Sequence, residues 1–323
     1  MVRYLSRRLL AMLVTLLVTS IIIFAMSEVI PVDPARSILG QYTTDRAVAV
    51  LREQMGLDRP LVERYVRWLW RTVQGDLGQS FRLGLDIRPL LLTRLRNSLI
   101  LATAGMALLV PTALVAGVIA GLTEGRWPDW LISTGALLTT SLPEFVTGIG
   151  LIIVFAWWLG WLPGNSLPTE EGPSPMATPA QLVLPAATLA ISQVGYVVRI
   201  TRVSISKVMK SAYIRTAVLK GLPWRSVVFR HALTNALLAP VTVMTTQFGW
   251  MISGLIVIES LFTYPGLGRL FAGAALFNDI PMLEASGMTG IVVAVASQLA
   301  CLLYTSDAAD DLLCVDLGGR RII

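Results

Sequence analysis

The chain holds one histidine, His231, and two cysteines, Cys301 and Cys314. One imidazole cannot build a three-histidine zinc site or a bis-histidine haem, and no Cys-x-x-Cys pair offers a structural zinc or redox motif. No Gly-x-x-x-x-Gly-Lys-Ser/Thr run is present, so the chain has no phosphate-cradling loop of its own. No plausible Ser/His/Asp set or metal cluster speaks for an intramembrane enzyme. The side chains that could still do something specific are cations spaced along one stretch. Arg199, Arg202, Lys207, Lys210, Arg215, Lys220, Arg225 and Arg230 fall within one stretch that contains no acid and all the lysines of the chain.

Such a stretch needs elements to hold it, and the composition says which. Of 323 residues, 54% are hydrophobic and 14% are charged, against about 25% charged in an ordinary soluble domain. Mean hydropathy is +0.69. These values exclude a disordered chain, a fibrous chain and a typical soluble enzyme. The net charge of +6 fits basic cytoplasmic loops better than a nucleic-acid partner, because the basic residues form no dense block.

Apolar runs long enough to cross roughly 30 Å of hydrocarbon mark six spans. The first is Leu9–Val29. Its apolar run, 9–26, is too long for a signal peptide, whose apolar region is about 7–15 residues, so the reading is a retained span with its basic end inside. The second is Leu99–Leu122. The third stretch, Leu131–Leu162, is too long for one straight span. It should break at Ser141-Leu142-Pro143-Glu144, where Ser and Glu stand at capping-box spacing, and cross as Leu142–Trp161. The fourth is Leu182–Val198, ended by Arg199 and Arg202; the fifth is Leu233–Ile258; the sixth is Met282–Leu303. The basic stretch and the N-terminal arginines then lie in the cytoplasm. Glu28, Glu144 and Glu284 sit near span ends or the break, so no chain of buried carboxylates speaks for a self-sufficient secondary carrier or channel, the rival reading.

Between the first two spans, residues 31–96 should fold into helices. Thr44 can cap one that ends at Gly56, and a second should run from Pro60 to near Gly75. A small helical cap on the spans and a docking surface for an external partner are compatible readings. In the basic stretch, Ser211 is a suitable N-cap for a short helix over Ala212–Lys220, stopped by Gly221 and Pro223. Tyr213 and Ala217 should share a face, as should Ile214 and Val218. At about 15 Å this helix needs a surface to pack on. Ala217 and Gly221 would let another backbone come close; a helix resting on the inner leaflet is the alternative.

Tyr213-Ile214-Arg215-Thr216-Ala217, then Gly221-Leu222, then Arg230-His231-Ala232-Leu233 resembles the cytoplasmic loop signature of importer-type ABC transporter permeases. Tyr-x-Arg-Thr-Ala in place of Glu-Ala-Ala resembles the dipeptide/oligopeptide/nickel branch. Gly56-Leu57-Asp58-x-Pro60, Gly75-Asp76-Leu77-Gly78-x-Ser80, Asn97-Ser98, Pro143-x-Phe145, Tyr264-Pro265-Gly266-Leu267-Gly268-Arg269-Leu270 and Asp279-x-Pro281 match that branch in order and spacing, over roughly 300 residues. The long segment after the first span is similar to that of the first of the two paired permeases.

The resemblance implies an all-α integral membrane protein with six transmembrane helices, a helical extracytoplasmic segment after the first, and a cytoplasmic coupling helix between the fourth and fifth. Its parts would be 1–30, the first helix; 31–96, the outer segment; 97–303, the permease core with coupling loop 203–230; and 304–323, an atypical tail that reads as sequence joined from elsewhere. It further implies a second homologous permease, two ATPase subunits that carry ATP-Mg, and an extracytoplasmic solute-binding protein, around a chain that binds no cofactor itself and sits in lipid. Tyr213, Ile214, Arg215, Thr216, Ala217, Lys220, Gly221, Leu222 and His231 would couple to the ATPases. Glu144, Tyr264, Pro265, Gly266 and Gly268 are pathway or gate candidates; an end-of-helix Glu and an ordinary turn are the plainer readings. Peptide is the branch's commonest cargo, with nickel, glutathione and other solutes open.

Overall fold

The computed structural model describes residues 2–29, 34–39, 44–55, 58–166 and 179–319, and every regular element among them is helical. In chain order these are α1 (Val2–Val29), α2 (Pro34–Leu39), α3 (Asp45–Met55), α4 (Leu61–Val73), α5 (Ile87–Leu122), α6 (Trp127–Ser141), α7 (Glu144–Leu151), α8 (Ala180–Met209), α9 (Ala212–Leu219), α10 (Trp224–Ser226), α11 (Leu233–Ala236), α12 (Leu238–Leu261), α13 (Leu267–Leu276) and α14 (Ile280–Gly319). Two stretches wind as π-helix, Ile152–Trp158 after α7 and Val227–Ala232 between α10 and α11. The helices form two compact units: Met1–Leu99 with Thr263–Ala296, and Ile100–Phe262 with Ser297–Ile323.

Among the described residues, four helices are long and apolar enough to cross a membrane: Ser6–Glu28, Ile87–Leu122, Ala180–Met209 and Ile280–Leu299. Two bent pairs bring the number to as many as six, Trp127–Ser141 with Glu144–Trp158 at 106° and Trp224–Ala236 with Leu238–Ile252 at 47°. The break in the third stretch falls at Leu142-Pro143, close to where the sequence places it, but the capping box does not form. Ser141 is still the last residue of α6 and its hydroxyl donates back to the Leu137 carbonyl at 2.8 Å. Pro143 takes the cap position and offers no side-chain acceptor.

Helix ends differ more. α5 starts at Ile87, a dozen residues before the expected Leu99. α8 does not stop at Arg199 and Arg202 but runs on to Met209. One of the two cations that look like a stop, Arg202, is held by an acid distant in sequence: Asp129 accepts from its Nε and from its Nη2 at 2.7 Å. α14 continues through Thr305–Asp311 into the atypical tail. Gly56, the expected end of α3, and Arg320 and Arg321 of the tail lie outside the described residues.

In the first unit, α4 lies on α1. Phe24 meets Tyr65 and Trp68 with ring centroids 5.5 and 5.6 Å apart, Ser20 Oγ and Tyr65 Oη are 2.8 Å apart, and Arg64 grips Glu28 with both terminal nitrogens. A second cluster joins Ile87 and Leu91 of α5 to Leu267 and Ala274 of α13 and Met282 and Ala285 of α14.

In the second unit, α8 is the hub on which α6, α7 and α12 pack. Its close approaches use small residues, as buried helix pairs in lipid do. A Cβ on Gly117 or Gly121 of α5 would meet Thr201 Cβ at 2.4 Å and Ile205 Cβ at 2.6 Å. Gly195 of α8 is tighter still: a Cβ there would stand 2.1 Å from the Ala136 carbonyl oxygen and 2.5 Å from Thr139 Oγ1. Gly195→Ala must therefore push α6 and α8 apart, an overpacking effect of about 1–3 kcal/mol. The apparent thermal midpoint of the purified chain should fall by several degrees; an unchanged midpoint would contradict this packing.

Candidate functional site

The short helix of the basic stretch is there as α9, with Ser211 extended at its N-cap and Lys220 at its C-cap. Ser211 does not cap with its side chain; its hydroxyl donates back to the Val208 carbonyl at 2.6 Å. Gly221 takes φ +76° with open space around it. Gly221 N–H donates to the Val218 carbonyl at 2.9 Å and Leu222 N–H to the Ala217 carbonyl at 3.4 Å. That paired closure is the Schellman ending, and it asks for a left-handed residue, which is why glycine stands there.

The faces of α9 sort differently from the sequence expectation. Ile214 and Ala217, three apart, are the buried pair, packed with Val227 and Ala232 and bordered by Val208 and Met209. Ala217 is 8% exposed; it is spent on the chain's own packing rather than on admitting a second backbone. Tyr213, Val218, Leu219, Leu222 and Trp224 face outward, together with Arg215, Thr216, Lys220 and Arg225. His231 sits half-buried in the π-helical turn that follows.

Three groups missed at the sequence level fix this hairpin to the second unit. Asn235 Nδ2 donates to Tyr213 Oη at 3.1 Å and to the His231 carbonyl at 3.3 Å. Ser204 Oγ donates to the Ala236 carbonyl at 2.6 Å. Glu124, just past α5, accepts from Ser206 Oγ at 2.6 Å and from Lys210 Nζ at 2.7 Å. The Lys210 ammonium, and then the Ser206 hydroxyl, hold the Glu124 carboxyl below its ordinary range. These partners lie up to 86 residues apart in sequence, which is why no local pattern reveals them.

The candidates of the first unit are also placed. Tyr264, 1% exposed, donates its hydroxyl to the Asn97 carbonyl at 2.8 Å. Asn97 Nδ2 returns a bond to the Pro265 carbonyl at 2.9 Å, and Ser98 Oγ accepts from Leu267 N–H at 2.8 Å. Pro265 and Gly266 are buried and Gly268 is half-buried. The turn is thus sewn to the first unit's part of α5, with Gly266 at the N-cap of α13. Just before it, Thr263 holds φ +52°, strained for a β-branched residue, and its carbonyl accepts from Arg269. Glu144 opens α7 half-buried, in the other unit. Glu259, absent from the sequence reading, is fully buried near the end of α12.

Comparison with known proteins matches these features to one class. Residues 113–313 match the model of the binding-protein-dependent transport system inner membrane component. Residues 1–86 match the N-terminal membrane component of such systems. The chain belongs to this family, and it is a permease subunit of an ABC importer rather than an enzyme.

It is 36% identical over 292 residues, 90% of this chain and 92% of the relative, to a protein of Brucella suis biovar 1 (strain 1330) named provisionally as a peptide transport system permease. It is 35% identical over 285 residues, 88% of this chain and 90% of the relative, to the glutathione transport system permease protein GsiC of Escherichia coli (strain K12). A crystal structure of an amino acid ABC transporter with histidines superposes with a TM-score of 0.51 at 15% identity, over 67% of this chain and 92% of that one; that likeness speaks to the fold.

Proposed function

We propose that this chain crosses the inner membrane six times with its N-terminus in the cytoplasm, and pairs with a second permease to pass peptides or similar small solutes. Of two ATPase subunits carrying ATP-Mg, one binds at α9 and the other at the coupling helix of the second permease, and an extracytoplasmic solute-binding protein delivers cargo. The names of the relatives support peptide or glutathione-like cargo.

Hydrogen bonds within the second unit support the alternation of spans. Glu124, ahead of the bent α6–α7 pair, meets Lys210 at the Met209 end of α8. Ser166, beyond that pair, donates its hydroxyl to the Gln181 carbonyl at the Ala180 end. The bent pair thus begins at one end of a 30-residue helix and finishes at the other, which favours a crossing over a re-entrant loop. Ser166 N–H also donates to the Phe262 carbonyl at 2.8 Å, in keeping with both lying on one side. Glu144 faces the pathway in this reading, and the sewn turn at Tyr264, Pro265 and Gly266, with Gly268 in the first turn of α13, supports a gate rather than lining it.

The observation that carries the coupling role is the division of α9. Its Ile214–Ala217 face is anchored in the chain, while an apolar surface ringed by cations faces outward. A rigid hairpin of this kind can pass a movement of the ATPases to α8 and α12. The test is co-purification: the tagged chain, expressed with its neighbouring genes, should bring ATPases and a second permease with it. Recovery of the chain alone, transport-competent without ATP, would overturn the reading in favour of a secondary carrier. The helix ending makes a finer prediction. Gly221→Asn, which tolerates a left-handed backbone, should keep most ATP-dependent uptake, and Gly221→Val, which does not, should lose most of it. Equal uptake by the two variants would contradict the role of this turn.

A further inference from the structure

Within the first unit, a cavity of about 200 Å³ is lined by Arg82, Leu83, Arg94, Arg269, Leu270, Gly273, Ala274, Asp279 and Met282. Three guanidinium groups and one carboxylate share this wall. We propose that it binds the phosphate of an anionic phospholipid, with Arg82, Arg94 and Arg269 as donors.

Charge is the first argument. With three cations and one anion, the lining has a net charge of +2, and a concave wall concentrates that field on whatever enters. Pre-organisation is the second. The Arg82 guanidinium lies 3.4 Å over the Phe277 ring, a stacked position that holds the fork without engaging its charge with a counter-ion. Arg269 is held through the Thr263 carbonyl. The Asp279 carboxylate is drawn toward the chain itself: it accepts from Ser80 Oγ and from Phe81 N–H at 3.1 Å. A planar fork meets a phosphate with two parallel bonds, so arginines held in this way suit an oxyanion of that shape.

Depth and surroundings choose the source of the phosphate. α14 begins its apolar membrane window at Ile280, and Met282, two residues in, already lines the cavity. The arginines therefore stand where hydrocarbon gives way to head groups, the level at which basic pockets hold lipid phosphates. Beside them Leu83, in the lining, and Phe277, under Arg82, are exposed. A free anion would leave that apolar rim wet, whereas the acyl chains of a lipid cover it. The leaflet follows from the orientation proposed above and the binding does not depend on it, so a wrong orientation would leave this site standing.

Native mass spectrometry of the full-length chain with its partner subunits tests the proposal, using equal amounts of dioleoylphosphatidylglycerol and dioleoylphosphatidylcholine. Phosphatidylglycerol should be retained preferentially, and Arg82→Gln should lower its retention by about tenfold, the scale of one charge-assisted bond. Arg82→Lys should restore part of it, since the charge returns without the fork, and this variant guards against misfolding. Arg71→Gln, on α4 and outside the cavity, should change nothing. Equal retention of the two lipids, or a preference unchanged in both Arg82→Gln and Arg94→Gln, overturns the proposal. Displacement of the lipid by millimolar inorganic phosphate would overturn it in favour of a free-anion site. Loss of solute-binding-protein docking in Arg82→Gln with lipid retention intact would overturn it in favour of an acidic protein partner.

Discussion

Leu219→Asp should abolish ATP-dependent uptake while leaving the chain in the membrane at normal amounts. Leu219 is 79% exposed on α9, so the chain's own stability should move by no more than about 0.5 kcal/mol. In the proposed assembly the same side chain sits at the centre of the surface that meets an ATPase. Burying an unpaired carboxylate in such a contact removes a hot spot of about 2 kcal/mol or more, roughly thirtyfold in affinity. Uptake of a labelled dipeptide, read beside an immunoblot of the membrane fraction, separates the two effects. Normal uptake would refute the contact. Ala217→Trp is the poorer probe, because Ala217 is packed against Val227 and Ala232, and its failure would report misfolding as readily as lost coupling.

Asp129→Ala should be the most destabilising single change in the second unit. Asp129 is buried, and it accepts from both Arg202 and Ser133 and from the Gly125 N–H at 2.9 Å. Its removal leaves Arg202 without its partner between α6 and α8. Removing one member of a fully buried ion pair typically costs about 3–5 kcal/mol; Arg202 is 29% exposed, which sets the expected loss at or below the lower end of that range. The apparent thermal midpoint in detergent should drop steeply, and Arg202→Met added to Asp129→Ala should recover much of the loss, because no charge is then stranded. A midpoint that does not move in the single variant would mean the pair is wetter than the packing indicates.

What could be read in the sequence follows how far apart the deciding groups are. The ends of α9 were legible because Ser211, Gly221 and Pro223 act within one turn. Its buried face was not, since the choice of Ile214 with Ala217 is made by Val227 and Ala232 beyond the next turn. Arg199 and Arg202 look like the end of a span to any local rule. The partner of Arg202, Asp129, stands 73 residues earlier, and α8 runs past both arginines to Met209. The break at Pro143 was visible from the length of the apolar stretch and the proline within it, while the capping box depended on where α6 released Ser141. Of the stretch read as a turn, only Tyr264–Gly266 is one, since α13 begins at Leu267, and its attachment to Asn97 and Ser98 joins segments nearly 170 residues apart.

The anchoring of α9 has a bearing on how such a transporter could change partners. Val208, Met209, Ile214, Ala217, Val227 and Ala232 all fall within one short run of the chain, and of the groups that tie the hairpin to the second unit only Glu124 lies outside residues 204–236. Residues 204–236, received by a glutamate at the Glu124 position, therefore resemble an interchangeable adaptor. Transplanted into a related permease, they should redirect which ATPase is recruited without altering which solute is carried, and allegiance to the motor could drift in evolution independently of the cargo.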